Sequence, residues 1–190
     1  NTDHFHVFFT ISDELRPLWR KNTEAMTRML FKSATETLFQ LLKDPKYLGA
    51  KVGIIASLHT WSKTLSLHPH LHCLVTGGGL SGQEWISASK RFLIPFEVIR
   101  AKFRGKFIAF IRTAFNKGEL VLPDGVRPQQ MHNLLNKLGR KKKWNVHLKE
   151  TYSYGEGVLI YLSRYLRGGP ISNKRIFSVK DGAVTFNYGR

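Results

Sequence analysis

The sequence predicts an α+β sandwich. Strand-like and helix-like stretches are interspersed rather than strictly alternating, and at least two strand pairs read as antiparallel hairpins, which disfavours a parallel doubly wound sheet. The 190 residues are 42% hydrophobic and 12% aromatic, enough for a real core in one domain, residues 1–190, and too apolar for a disordered chain.

His4 to Ile11 is aromatic and β-branched and reads as the first strand. Ser12 or Asp13 can cap one long helix from about residue 14 to residue 43, in which Leu15, Leu18, Trp19, Met26, Met29, Leu30, Leu38, Leu41 and Leu42 recur at helical spacing. Asp44-Pro45 ends it. Val52 to Leu58 is a strand, Trp61 to Leu67 a loop and His70 to Val75 a second strand, the two reading together as a hairpin with a longish connection. Gly77-Gly78-Gly79 is expected to break the chain, and Trp85 to Ala88 to form a short edge strand. Phe96 to Phe115 is helical, with Ile99, Phe103, Phe107, Phe110, Ile111 and Ala114 toward the core. Arg127-Pro128 opens a further helix to about Leu138, and Trp144 to Leu148 is a strand. Glu156 to Arg167 forms a helix stopped by Gly168-Gly169-Pro170. Finally, Lys174 to Lys180 and Ala183 to Tyr188 flank Asp181-Gly182, a hairpin turn signal.

Thirty Lys+Arg against thirteen Asp+Glu give a net charge of +17, and the pI is near 10.3. Such an imbalance points to a polyanion, with nucleic acid ahead of an anionic membrane. The longest apolar run, Phe107 to Ile111, is too short to span a bilayer, and no signal-peptide pattern opens the chain, so a cytoplasmic, nucleoid-associated location is expected. The single cysteine, Cys73, excludes an internal disulfide and a Cys-based zinc site. Because the chain begins at Asn1 without Met, it reads as a piece of a longer protein.

The chemistry concentrates in Leu67-His68-Pro69-His70-Leu71-His72-Cys73-Leu74-Val75. Alternate residues of a strand share a face, so His68, His70 and His72 project from one side while Leu71 and Cys73 point into a core. Two imidazoles two residues apart on a rigid strand make half of a metal site. If the strands around 52–59 and 70–75 pair, His59 lies across from His70 or His72 and supplies a third nitrogen. Glu156 is a lesser alternative. His68 is expected to cap or line the loop. The second His-x-His, His4-Phe5-His6, lies at the chain's beginning with no histidine partner nearby, and is read as structural or incidental.

Tyr161 and Tyr165 lie four apart in Tyr-Leu-Ser-Arg-Tyr, about 40° apart on one helix face. Tyrosine is a poor nucleophile at its free pKa of about 10 and needs a polarised phosphate or help with deprotonation. Arg164, Arg167, Lys174 and Arg175 nearby argue against a purely core role for the pair. Arg140, Lys141, Lys142 and Lys143 run into Trp144, a cation-aromatic juxtaposition suited to a single-stranded backbone with stacked bases.

Taken together, these blocks resemble the HUH-type, two-tyrosine rolling-circle transposases of bacterial insertion sequences. The resemblance runs over nearly the whole length: Phe8-Phe9-Thr10-Ile11 with Glu14-Leu15-Arg16-Pro17-Leu18, Leu58-His59-Thr60-Trp61, the histidine strand through Gly79, Phe103-Arg104-Gly105-Lys106-Phe107, and Tyr161 to Tyr165 leading to Ile171-Ser172-Asn173-Lys174-Arg175. It implies a central antiparallel sheet flanked by helices, like the RNA-recognition fold, with the tyrosine helix beside the histidine strand. It implies metal-dependent nicking and strand transfer of single-stranded DNA at transposon ends and target, through a 5′-phosphotyrosine with a free 3′-OH. His70 and His72 match the paired metal ligands, His59 the third, Tyr161 and Tyr165 the nucleophiles, and Mg²⁺ or Mn²⁺ the cofactor. A replication initiator or conjugative relaxase would use the same chemistry, and an ssDNA- or RNA-binding module would keep the histidines as structural groups. Relatives usually carry a cysteine-rich zinc-binding segment ahead of this region, which this sequence lacks.

Overall fold

Strands β1 (His4–Thr10), β2 (Lys51–Trp61), β3 (Leu67–Ser81), β4 (Glu84–Ser87) and β5 (Val146–Tyr152) form one antiparallel sheet in the computed structural model. The structure describes all residues except 1, 63, 89–93, 142–143, 145, 153–156, 159, 161–162, 164–170, 172 and 188–190. Spatial order is β2-β3-β1-β5, and β4 pairs with the far end of β3. The 15-residue β3 is the spine, bonded to β2 along one side and to β1 and then β4 along the other. Helices α1 (Arg16–Lys21), α2 (Thr23–Lys43), α3 (Phe96–Asn116) and α4 (Pro128–Arg140) complete the mixed architecture, and a separate hairpin joins β6 (Ile176–Lys180) to β7 (Ala183–Phe186). This is the α+β class expected, an antiparallel sheet with helices against it.

The pleat sorts each strand into two faces. Val7 and Phe9 of β1, Leu71, Cys73 and Val75 of β3, and Val146 of β5 are buried on one of them. There the Phe9 ring meets Phe103 of α3, centroids 4.8 Å apart. Along α3, Ile99, Phe103, Phe107, Ile111 and Ala114 follow one another at helical spacing and are all buried. Trp144 closes the end of this layer. Its ring lies edge-on to Phe103 and Phe107, and its indole N–H donates to the Leu138 carbonyl at 3.1 Å. Phe110, expected in the core, is half-buried, with the Lys32 ammonium 4.8 Å from its ring centre.

Three local expectations are corrected. The single helix over 14–43 is a 3-10 turn (Asp13–Leu15), then α1, then α2, interrupted at Asn22. The Asn22 amide donates to the carbonyls of Leu18 at 2.9 Å and Val121 at 2.7 Å, and its oxygen accepts from the Val121 N–H at 2.8 Å. That tie to the chain beyond α3 outweighs local helix propensity. The 61–67 loop is also shorter than expected, because β2 runs to Trp61 and β3 begins at Leu67. Third, Gly77-Gly78-Gly79 does not break the chain but continues β3. A Cβ would stand 2.5 Å from the Asp3 carbonyl oxygen at Gly77, 2.6 Å from that of Ile86 at Gly78 and 2.5 Å from that of Lys51 at Gly79. The run is therefore glycine because three neighbouring segments press on it.

Gly79→Ala should lower unfolding free energy by about 1–3 kcal/mol, the usual cost of forcing atoms into filled space. Gly105→Ala, on the open side of α3 with nothing within 4 Å, should instead add up to about 1 kcal/mol of helix propensity. Urea unfolding of the two variants against the parent checks the opposite signs.

Candidate metal centre

The β2–β3 register sets His59 directly opposite His70 and Ser57 opposite His72. All three histidines therefore point from the sheet face opposite the helices. Ring centroids are 5.4 Å apart for His59 and His70, 4.6 Å for His59 and His72, and 4.9 Å for His70 and His72. One ring nitrogen of each lies within 4.8 Å of the other two. Among the described residues this is the one group of three or more such side chains gathered around a common point. His72 is buried and the other two are half-buried.

The neighbours fix how the rings face. His70 Nδ1 is 2.6 Å from the His68 carbonyl oxygen. A carbonyl only accepts, so Nδ1 carries the proton and Nε2 presents its lone pair. His72 Nδ1 lies 2.8 Å from His6 Nε2, likewise leaving Nε2 for the centre. The His59 ring stacks on Trp61 at 5.0 Å and 10°. Burial is the main influence holding the His70 pKa below its ordinary value, while its bond to the His68 carbonyl opposes that shift and neighbouring His68 and His59 reinforce it. The neutral imidazole is the ligating form, so the environment favours the protonation state a metal requires.

His6 corrects the expectation that His4-Phe5-His6 has no histidine partner. β1 pairs with β3 so that His6 lies across from Leu74, one step along from the Phe8–His72 pair. Its fully buried ring stacks on His72 with centroids 5.0 Å apart. The signal available in the sequence was parity: His6, Phe8 and Thr10 alternate with the core residues Val7 and Phe9, so they share the opposite face. The partner strand was not legible there. His68, expected to cap or line the loop, instead lies within β3, its ring 5.2 Å from that of His70. The Arg16 guanidinium donates to its Nδ1 at 3.2 Å, and burial, reinforced by that positive charge, holds its pKa low. Cys73 lies buried on the core face, where desolvation pushes its thiol pKa far up.

The site's chemistry fits a divalent ion. Three imidazoles, with the second nitrogens of His70 and His72 hydrogen-bonded, form an all-nitrogen donor set that takes Mn²⁺, Co²⁺, Ni²⁺ or Zn²⁺ readily and Mg²⁺ less so.

Of the other predicted residues, Arg140 and Lys141 are exposed at the end of α4. Lys141 lies 3.5 Å and Lys137 2.6 Å from the Glu14 carboxylate, which is held below its usual pKa chiefly by the hydrogen bond from Lys137. Part of the positive patch is thus already paired. Lys141 and Trp144 also line a cavity of about 250 Å³ with residues Thr10 to Glu14. Lys174 is exposed, whereas Arg175 donates from Nε to the Asn187 carbonyl at 2.5 Å and braces the β6–β7 hairpin. Tyr161, Tyr165, Arg164, Arg167, Glu156, Lys142 and Lys143 lie outside the described residues.

Residues 53–190 match the family described as "Putative transposase". Over 98% of its length the chain is 36% identical to "Putative transposase y4qJ" of Sinorhizobium fredii, covering 48% of that protein. It is 30% identical to the transposase for insertion sequence element IS801 of Pseudomonas savastanoi pv. phaseolicola, over 96% of this chain and 44% of that one. The chain thus spans about half the length of these curated relatives. The conjugative relaxase TrwC, solved in complex with mutant oriT DNA, overlays 83% of this chain and 70% of its own with a TM-score of 0.46 and 10% identity. Among the described residues no helix is long and apolar enough to cross a membrane.

His4, His68 and His70 each have a pKa lowered from 6.5, with burial the largest cause. As pH falls below about 6.5 the unfolded chain takes up protons before the folded one, so stability present above that pH is lost as pH drops through the lowered folded values. In EDTA, the urea midpoint should be lower at pH 5.5 than at pH 7.5, and a rise on acidification would contradict this assignment.

Proposed function

Because this chain belongs to that transposase family through residues 53–190, we propose that it carries the nicking and strand-transfer centre of a rolling-circle-type transposase acting on single-stranded DNA. The observation that carries the reading is the convergence of His59, His70 and His72 on one patch of sheet, with the His70 and His72 rings held so that Nε2 faces the shared space. Mg²⁺ or Mn²⁺ bound there supplies Lewis-acid polarisation of the scissile phosphate.

The chain's own groups do the rest. The hydroxyl of Tyr161 or Tyr165 loses its proton and its oxygen attacks phosphorus. The bond to the 3′ oxygen breaks, and that oxygen leaves as a 3′-OH after taking up a proton. The product is a 5′-phosphotyrosine, which conserves the bond for a later attack by another 3′-OH. Two tyrosines allow two successive transfers without release of the strand to water. Trp61, half-buried and stacked on His59, offers an unpaired base a flat face beside the centre. Arg140, Lys141, Lys142, Lys143, Arg164, Arg167, Lys174 and Arg175 are proposed to hold the DNA backbone. The net charge of +17 supports such a polyanion partner.

The decisive test is a denaturing gel of the protein with labelled single-stranded DNA from a cognate element end, in Mn²⁺ or in EDTA. A covalent band is expected in Mn²⁺ alone and should vanish in Tyr161→Phe, Tyr165→Phe or both, which identifies the nucleophile. Intact DNA binding with no adduct in Mn²⁺ would count against the nickase. Separately, replacing Lys141, Lys142 and Lys143 with Ala should weaken ssDNA binding and reduce the slope of log affinity on log salt by up to about 2, at roughly 0.7 per phosphate contact on a single strand. Unchanged affinity and slope would remove this run from the interface.

A further inference from the structure

We propose that His6 is a positioning residue that sets the tautomer of His72. This inference rests on the metal-centre reading. His6 sits on β1, buried beneath the sheet face that bears the cluster, and its Nε2 is 2.8 Å from His72 Nδ1. A hydrogen bond between two neutral imidazoles has one proton in it and two arrangements. If His6 Nε2–H donates, His72 carries its own proton on Nε2, on the side of His59 and His70, and cannot ligate. If His72 Nδ1–H donates to a bare His6 Nε2, His72 Nε2 presents a lone pair alongside the other two nitrogens. Only the second arrangement makes three donors.

The same device operates at His70 by different means. There a backbone carbonyl takes the Nδ1 proton, and no tautomer choice remains. At His72 the partner is itself a two-state ring, so the centre is complete only when both rings adopt matched tautomers. His6 therefore acts through His72 and touches neither metal nor substrate. Its placement follows from the β1–β3 register, which lets a residue 66 positions earlier in the chain reach His72 from the adjacent strand.

The test combines two readouts on the full chain. In the metal-free, ¹⁵N-labelled protein, a long-range ¹H–¹⁵N spectrum should show His72 protonated at Nδ1 and bare at Nε2. Calorimetric titration with Mn²⁺ should then show that His6→Leu, which fills space but accepts nothing, weakens binding by about 10–100-fold, the usual effect of removing such an outer partner. His6→Gln, whose amide oxygen can accept from Nδ1, should keep most of the affinity. His70→Ala removes a ligand and serves as the control for the underlying reading. An Nε2–H His72 in the parent, or parental affinity in His6→Leu, overturns the role of His6. If His70→Ala binds Mn²⁺ as the parent does, the metal reading fails, and the tautomer spectrum still decides the role of His6. If His6→Leu does not fold, the parent spectrum and the affinity of His6→Gln decide it, loss in the latter counting against the proposal.

Discussion

The pairing of β2 with β3 is the constraint on which the site depends. With His59 bonded across from His70, three imidazoles share one patch. Strand side chains alternate, so a slip of one residue would turn His59 into the opposite layer and Leu58 outward. That slip is opposed along the whole strand pair. Leu71, Cys73 and Val75 are buried against the helices, and a slip would exchange Leu71 for a histidine in that layer. At the far end, Gly79 lets the Lys51 carbonyl approach to a distance no side chain would allow. The register that makes the cluster is thus held by core packing on one face and by missing side chains at the strand's end.

A sheet with one face dry and one face chemical divides the work cleanly. Helices α2 and α3 cover the first face with apolar stripes, and the Phe9, Phe103, Phe107 and Trp144 rings knit the layers. The second face carries the histidine rings, with Phe8 and the buried Leu74 among them. Rigid strands hold those rings more closely than loops would, which matters when three nitrogens must meet one ion. His6 and the His68 carbonyl extend that order outward, since a ligating imidazole is only as well aimed as the group on its other nitrogen.

The electrostatics follow the same division. Burial lowers the His70 pKa and so favours its neutral, lone-pair-bearing form. The mobile positive charge lies elsewhere, on exposed Arg140 and Lys174 and on lysines that Glu14 partly neutralises.

Local pattern determined much of this in advance. The α3 stripe, the Asp181-Gly182 hairpin and the alternation of His70 and His72 with Leu71 and Cys73 are all written at short range, where 3.6- and 2-residue periods have direct meaning. The +17 charge and the order of motifs pointed to a nucleic-acid enzyme. The tertiary structure alone decided which residues meet across long separations. It paired His6 with His72, made Gly77 to Gly79 a crowded strand rather than a break, and used Asn22 to end one helix against Val121. Each depends on contacts between segments remote in sequence, and a periodicity records which face a residue takes but not what lies against it.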